Sequence, residues 1–472
     1  MTSSKKRVLL ANPPMFIDKI GFNRPVRFPT YNYATPVMHP PLYLAYTAAY
    51  LRSLGHEVYF IDAPVSHLKV DEFIQRAIQI RPDVTVFETS TPSLNNDCQV
   101  AEKLKSFLPT KIVFVGAHVS ARPKESLFSS KAIDAVVIGE YEVSLAEYIE
   151  KGVEGTRGIC GRSATGQIVH NPPREYIENL DVLPFPARDL LPNYCYFDPI
   201  LDNPFTFILA GRGCPYRCTY CNWPQVLTGR RYRLRSVGNV LEELKQIVEH
   251  YRFKSILFND DTLTTNKHYV LDLCQGIKAS GLQIKWGCYA RADEQDGEML
   301  EQMKSAGCYL LKVGVESGNQ TLLDNVHKNY NLEMVRRGIR LMLKKGFHVH
   351  ATFMFGLPGE TSRTVKQTVR FAKELNPTTA QFSTIVPYPG TEFFDFLDRN
   401  GYLLTRNWDD FMPGKPIFEY KNLSSSELSR SLKWAYRSYY LRPKYIKIGL
   451  AQLWRQPRVF LANFKKLLSL IS

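Results

Sequence analysis

The stretch "GRGCPYRCTYC", Gly211 to Cys221, sets three cysteines within eight positions: Cys214, Cys218 and Cys221. Two thiols make a redox pair, and four close a structural zinc site. Three form an incomplete shell. Iron–sulfur clusters are held by thiolates, and a cubane normally takes four. With three, one iron keeps a position open for a substrate or cofactor. The other cysteines (Cys98, Cys160, Cys195, Cys274, Cys288 and Cys308) are scattered, and none is an evident fourth ligand. Gly211, Gly213 and Pro215 allow the loop to wrap tightly. Zinc, or three incidental buried thiols, are the competing readings, and the spacing favours neither.

Working outward, the region that begins at "FTFILAGRGC" alternates strand-like and helix-like runs. Strand candidates are "FTFILA", "SILFND", "KWGCYAR", "LLKVGVES", "HATFMFG" and "AQFSTIV", with segments such as "VGNVLEELKQIVEHY" between them. Such βα alternation predicts a barrel or partial barrel with its chemistry at the C-terminal strand ends. Polar signals fall there: Cys214, Asp260 and Asp261, Arg291, Glu316, then Gly356. Each taken singly also fits a salt bridge or a helix cap.

Upstream, "RVLLANPP", "VYFIDAP", "DVTVFETST", "KIVFVGAH" and "AVVIGE" alternate with helical stretches such as "PLYLAYTAAYLRSLGHEV". The pattern predicts a doubly wound parallel sheet with ligand loops after Asn12, Asp62, Ser90, Gly116 and Gly139. The expected division is 1–155 for this domain, 156–200 for a Pro-rich connector, 201–400 for the barrel and 401–472 for a basic helical region.

The 472 residues are 44% hydrophobic and carry a net charge of +15, so the chain is globular and wants an acidic partner or surface. Nucleic acid and an anionic membrane are the two candidates, beside a merely solvated basic surface. No secretion signal and no run of roughly 18–20 apolar residues is apparent, which predicts a cytoplasmic protein. From Leu428 to Ser472 there is no Asp or Glu, while Phe460, Leu461, Phe464, Leu467, Leu468 and Ile471 recur at helical spacing. This basic amphipathic stripe suits either contact with the inner face of the cell membrane or docking on the barrel.

Cys214, Cys218, Tyr220 and Cys221 match the CxxxCxΦC signature, and the chain thereby resembles the radical S-adenosylmethionine (SAM) superfamily. The resemblance implies a [4Fe–4S] cluster on the three cysteines, with the open iron chelated by SAM. It further implies reductive cleavage of SAM to a 5′-deoxyadenosyl radical, a partial (β/α)6 TIM-type barrel, and an electron donor such as flavodoxin or ferredoxin. Bound SAM offers an ammonium and a ribose diol to Asp260, Asp261 or Glu316, and a carboxylate to Arg291. Tyr220 and Gly356 complete the expected SAM-side set. "GVESG" and "FGLPGET" resemble strand-end motifs of the branch with methylthiotransferase-like enzymes.

"NPP", "HPPLYLAYTAAYLRSLGHEV", "VGAHVS" and "IGEYEVSLAEYI" resemble the cobalamin-binding Rossmann-like domain of one large subclass. This implies cobalamin near Asn12, Gly116, Gly139 and Glu140. The DxHxxG histidine is absent, since "DAPVSH" lacks its spacing, so no histidine ligand to cobalt is expected, and loss of cobalamin binding stays open. His39, His56 and His118 are expected as loop or cap residues. A less specific resemblance is to hopanoid-associated, lipid-modifying members. The implied activity is modification of an unactivated carbon of a small-molecule or lipid substrate, by methyl transfer or by radical rearrangement. An RNA-modifying enzyme or a non-catalytic SAM or cobalamin sensor are the alternatives. Nucleic acid is disfavoured because no second cysteine triplet and no small RNA-binding barrel is apparent.

Overall fold

Strand–helix alternation in each half folds into its own parallel sheet. The computed structural model describes residues 5–17, 20–24 and 37–445. The first sheet is built from β1 (Arg7–Asn12), β2 (Glu57–Asp62), β3 (Val84–Glu88), β4 (Lys111–Val115), β5 (Ala135–Val137), β6 (Ile159–Arg162) and β7 (Ile168–His170). Its order is β2-β1-β3-β4-β5-β6-β7. The first five strands are parallel and the last two antiparallel. Helices Leu42–Ser53 and Glu142–Lys151 pack on one face, and Val70–Ile80 and Leu94–Lys105 on the other. Strand order reverses around β1, so a crevice opens at the C-terminal ends of β1 and β3.

β6 and β7 correct the expected boundary. The segment 159–170 completes the first sheet, because its backbone groups pair along β5, and the connector begins only after it.

The barrel strands are β8 (Phe205–Ile208), β9 (Ser255–Phe258), β10 (Trp286–Ala290), β11 (Cys308–Glu316), β12 (His348–Phe355) and β13 (Thr379–Thr384). They form one parallel sheet in sequence order, as the six runs predict. β8 and β13 do not pair, so the barrel is partial.

The helix Ser425–Tyr440 covers the free edge of β13. The Tyr436 hydroxyl accepts from Phe382 N–H (3.2 Å) and donates to Phe382 O (2.9 Å). Tyr440 does the same at Ala380 (2.9 and 2.6 Å). Two phenols thus stand in for a neighbouring strand, which blunts an otherwise exposed edge. Within the expected helical region 401–472, Ser425–Tyr440 is the long helix among the described residues, beside a single 3-10 turn at Trp408–Asp410 and helical residues at 443–445; Pro413, Gly414 and Pro416 interrupt the segment before it. The stripe from Phe460 to Ile471 lies outside the described residues. No helix among them is long and apolar enough to cross a membrane.

Two buried ionic clusters tie the domains together beneath the site. Glu243 is fully buried between Arg188 of the connector (2.6 Å) and Arg235, whose guanidinium also donates to Tyr46 of the first domain (3.2 Å). Asp198 accepts from Lys312 of β11 (3.0 Å) and pairs with His39 (3.0 Å). Removing one member of such a pair strands the partner charge in the core. Glu243→Ala is expected to lose about 3–5 kcal/mol of stability, measured by urea unfolding. Glu243→Gln should lose less, because its amide oxygen still accepts from one of the two arginines.

Candidate active site

The cysteine loop leaves β8 through a two-residue strand, Gly211–Arg212, paired antiparallel with Arg233–Leu234. Gly213 sits at φ +93°, and a β-carbon there would lie 2.2 Å from the Arg231 carbonyl oxygen. Only glycine fits that turn. Backbone bonds fix the rest: Cys214 N–H to Gly229 O (3.2 Å), Thr219 N–H to Val326 O (3.1 Å) and Cys221 N–H to Cys218 O (3.2 Å). The Gln225 amide donates to Cys221 O at 2.7 Å. Cys218 is buried, while Cys214 and Cys221 are partly exposed.

Around this loop the strand ends converge. Glu316, at the end of β11, has φ +68° beside a register shift in the β11–β12 ladder. Its Oε1 accepts from Lys328 (3.0 Å) and from the Tyr220 hydroxyl (3.2 Å). A bulky residue with positive φ marks strain held by its surroundings, a common feature of functional sites. Burial works against the Lys328 charge, but Glu316, Tyr330 and Cys218 outweigh it and hold the ammonium above its ordinary range. Arg291 stacks on Tyr216 of the loop, 3.7 Å from the ring centre, and on Tyr330 at 4.3 Å. Its fork is taken by Asp293 (3.0 and 2.8 Å).

Other expected residues are engaged internally. Asp260 accepts from Ala210 N–H (3.1 Å), Gly211 N–H (2.5 Å) and the Tyr232 hydroxyl (2.9 Å), so it anchors the entry of the cysteine loop. Asp261 accepts from Thr228 at 3.3 Å. Gly356 donates to Glu360 (2.8 Å) and accepts from Tyr420 (2.9 Å). Glu140, expected beside a cofactor, is instead bidentate with Arg233 (3.0 and 2.7 Å) and 3.4 Å from Arg212. Arg212 also donates to Glu142 (2.7 Å) and lies over the rings of Tyr43 and Tyr46.

Facing the barrel loops, Asp62, Asn12 and Glu88 end β2, β1 and β3 side by side. Tyr196 donates to Asp62 (3.1 Å) and Tyr141 to Glu88 (2.9 Å). Burial pushes Asp62 up to about 6 and Glu88 up to about 7. Four buried atoms on or beside this edge have no hydrogen-bond partner: Asn12 Oδ1, Glu88 Oε2, Thr89 Oγ1 and His118 Nε2. Dry polar atoms of this kind fit a site for a polar ligand. A Gly116 β-carbon would lie 2.6 Å from Thr89 O, so the edge is tightly drawn, and Gly139 N–H is held by Ser120 (3.0 Å). His39 and His118 pair with Asp198 and Thr91 (3.0 and 3.1 Å). His56 meets the Lys6 backbone at 3.4 Å.

Known proteins match this geometry. The "Radical SAM superfamily" model matches residues 208–372, and the "B12 binding domain" model residues 34–149. An uncharacterized methyltransferase of Pyrococcus horikoshii is 34% identical over 86% of this chain and 88% of its own length. The chain belongs to the radical SAM superfamily. It is an enzyme of that type, with a B12-binding domain ahead of its barrel. An anaerobic magnesium-protoporphyrin IX monomethyl ester cyclase of Rubrivivax gelatinosus is 25% identical over 86% of this chain and 75% of its own. A hopanoid C-3 methylase of Methylococcus capsulatus is 27% identical over 78% of this chain and 70% of its own. Among solved structures, the fold is shared with the radical SAM methyltransferase TsrM of Kitasatospora setae, with cobalamin and [4Fe–4S] cluster bound. The TM-score is 0.67, at 19% identity, over 84% of this chain and 75% of that one.

Arg212, Arg233 and Lys328 of this radical SAM barrel, with Glu142 of the first domain, hold the site in place. Arg212 and Glu142 lie inside motifs whose resemblance gives them no role, and Arg233 and Lys328 lie in none. Cys274, Cys288 and Cys308, scattered in sequence, lie near one another in the barrel's outer core, where burial and the Cys288 thiol push Cys308 well up. Among the described residues no three His, Cys, Asp or Glu side chains converge on a position for a single metal ion. A cubane takes each thiolate on a different iron, so its ligands stand further apart. Two buried cations beside Cys218, Lys328 and Arg291, suit the negative charge of a thiolate-bound cluster.

Two outcomes follow for the radical SAM fold. A β-carbon on Gly314 would stand 2.3 Å from Glu316 Oε1. Gly314→Ala should therefore expel the carboxylate from Tyr220 and Lys328 and weaken SAM binding about tenfold or more, on the order of 1.4 kcal/mol, by equilibrium dialysis. For Glu88 the folded pKa lies above the unfolded one, so its contribution falls as pH rises from about 4.5 to about 7. Glu88→Gln apoprotein should gain on the parent across that window, by up to about 3 kcal/mol at pH 8, in urea titrations at each pH.

Proposed function

We propose that the protein is a cobalamin-dependent radical SAM methyltransferase. In this reading Cys214, Cys218 and Cys221 hold a [4Fe–4S] cluster whose fourth iron is left to SAM. Cobalamin lies along the Asn12–Asp62–Glu88 edge, and the substrate between them. One observation carries it: the strand that enters the cysteine loop is bolted through Arg212 and Arg233 to the domain whose own edge bears unpartnered polar atoms. When bound, the cluster and SAM supply hydrogen abstraction from an unactivated carbon, and cobalamin supplies a methyl group.

The chain's own residues bind and orient. Glu316, fixed by Lys328 and Tyr220, offers its carboxylate to the SAM ammonium or ribose diol, with Asp261 as the second acidic group nearby. Asp260 holds the loop rather than the cofactor. Arg291 clamps Tyr216 and so the span between Cys214 and Cys218. The unpartnered atoms Asn12 Oδ1, Glu88 Oε2 and Thr89 Oγ1 suit the amide-rich rim of a corrin, and a Glu88 carboxyl raised to about 7 can donate as well as accept when protonated. The DxHxxG spacing is absent at "DAPVSH", so by this reading cobalt is left without that histidine.

For the substrate we favour a lipid or another apolar molecule, met at the cytoplasmic face of the membrane. The hopanoid methylase relative and the acid-free basic C-terminal sequence support this. The cyclase relative keeps ring-forming radical chemistry as the second reading. Protein purified without oxygen should carry an iron–sulfur absorption band together with a corrinoid spectrum. Cys214→Ala, Cys218→Ala and Cys221→Ala should each lose the first and keep the second. With methyl-labelled SAM, label in the product supports methyl transfer. Turnover without label in the product removes it in favour of rearrangement.

A further inference from the structure

A basic recess of about 450 Å³ opens on the outer wall of the barrel, against the strand end that follows Arg291. It is lined by Asp293 and Gln295, after β10, and by Met334, Arg337, Arg340 and Lys344 of the helix Leu332–Lys344. Met334, Arg337 and Lys344 recur at helical spacing on one face, and Met334 is 47% exposed.

The charge of this recess is uncompensated. Arg337 and Lys344 are exposed and have no ion-pair partner among the described residues, while Arg340 reaches Glu374 at 3.4 Å. The acidic residue in the lining, Asp293, has both oxygens on Arg291. An exposed methionine beside two arginines has the residue types enriched in protein-docking patches.

The wall behind the recess leads straight to the site. Gly338 lies so close to the next strand end that a β-carbon there would fall 1.8 Å from the Ala292 carbonyl oxygen. Ala292 follows Arg291, whose guanidinium sits 3.7 Å from the ring centre of Tyr216, between Cys214 and Cys218. Helix, strand end, guanidinium and tyrosine form one packed path from the surface to the cysteine loop.

We propose that this recess docks an acidic one-electron carrier of the flavodoxin class, with Arg337 and Lys344 as its charge contacts. The inference rests on the cluster reading above, since a [4Fe–4S] centre must receive its electron from outside the chain. The step is a single transfer: the flavin hydroquinone is oxidised to the semiquinone, the cluster goes from the 2+ to the 1+ state, and no covalent bond changes. Positive charge against an acidic partner raises the encounter rate, and salt screens it.

The test uses the full, cluster-reconstituted protein and flavodoxin hydroquinone, with semiquinone formation followed by stopped flow at low ionic strength. Arg337→Glu with Lys344→Glu should slow the second-order rate about tenfold or more, and the deficit should shrink as salt is added. Arg337→Gln with Lys344→Gln should fall between. A control pair on the first domain, Lys124→Glu with Lys131→Glu, should match the parent, and dithionite should reduce the cluster to the same EPR intensity in all. Equal rates in parent and reversal variant, or equal slowing by the control pair, overturns the surface. So does a dithionite-reducible cluster that takes no electron from flavodoxin. A protein that holds no reducible cluster overturns the cluster reading itself, and this inference with it.

Discussion

Arg212 stands two residues before Cys214, and its guanidinium is buried between Glu142 and Glu140 of the other domain, over the rings of Tyr43 and Tyr46. Arg233, its strand partner, closes the same cluster on Glu140. Desolvating these charges is expensive, and a hydrophobic cluster of equal volume would serve stability as well or better. What the ionic version supplies is direction: planar forks accept one geometry of carboxylate. The cysteine loop is therefore placed not by the barrel alone but by the edge of the neighbouring sheet. A reaction that passes a group between cofactors in two domains needs that fixed relation more than it needs stability.

The same logic governs the acids of the barrel. Asp260 and Glu316 both sit at strand ends, yet they do different work. Asp260 takes two consecutive backbone N–H groups at the start of the loop and leaves little capacity for a ligand. Glu316 is bent back by its positive φ, over a glycine at Gly314 that makes room for it, and is bound only by side chains that can yield or share. Strain at Glu316 with satisfaction at Asp260 divides the strand ends into one residue that builds the loop and one whose carboxylate keeps capacity for a further partner.

Both sheets were legible in sequence because a strand buried on two faces must be an unbroken apolar run, and because each run ends at a polar residue. The cysteine spacing announced its chemistry for a similar reason: three thiols at that distance have few other uses. Glu140 was misread, since from sequence a glutamate after "VIG" looks like any other strand-end acid. Its partners lie 72 and 93 positions away, at Arg212 and Arg233. Lys328 and Glu243 were invisible likewise, because a lone charge is exposed far more often than buried and only the fold reveals its partner. The β6–β7 hairpin falls within the expected connector, because pairing along β5 is a tertiary fact.

At the unpartnered edge of the first sheet, Asp62 and Glu88 flank Asn12 within one sheet row, and burial raises Asp62 to about 6 and Glu88 to about 7. Two ionised carboxylates there repel each other, whereas a protonated carboxyl beside an amide offers donors and acceptors alike. Such an edge suits a large neutral molecule with many amides pressed against it.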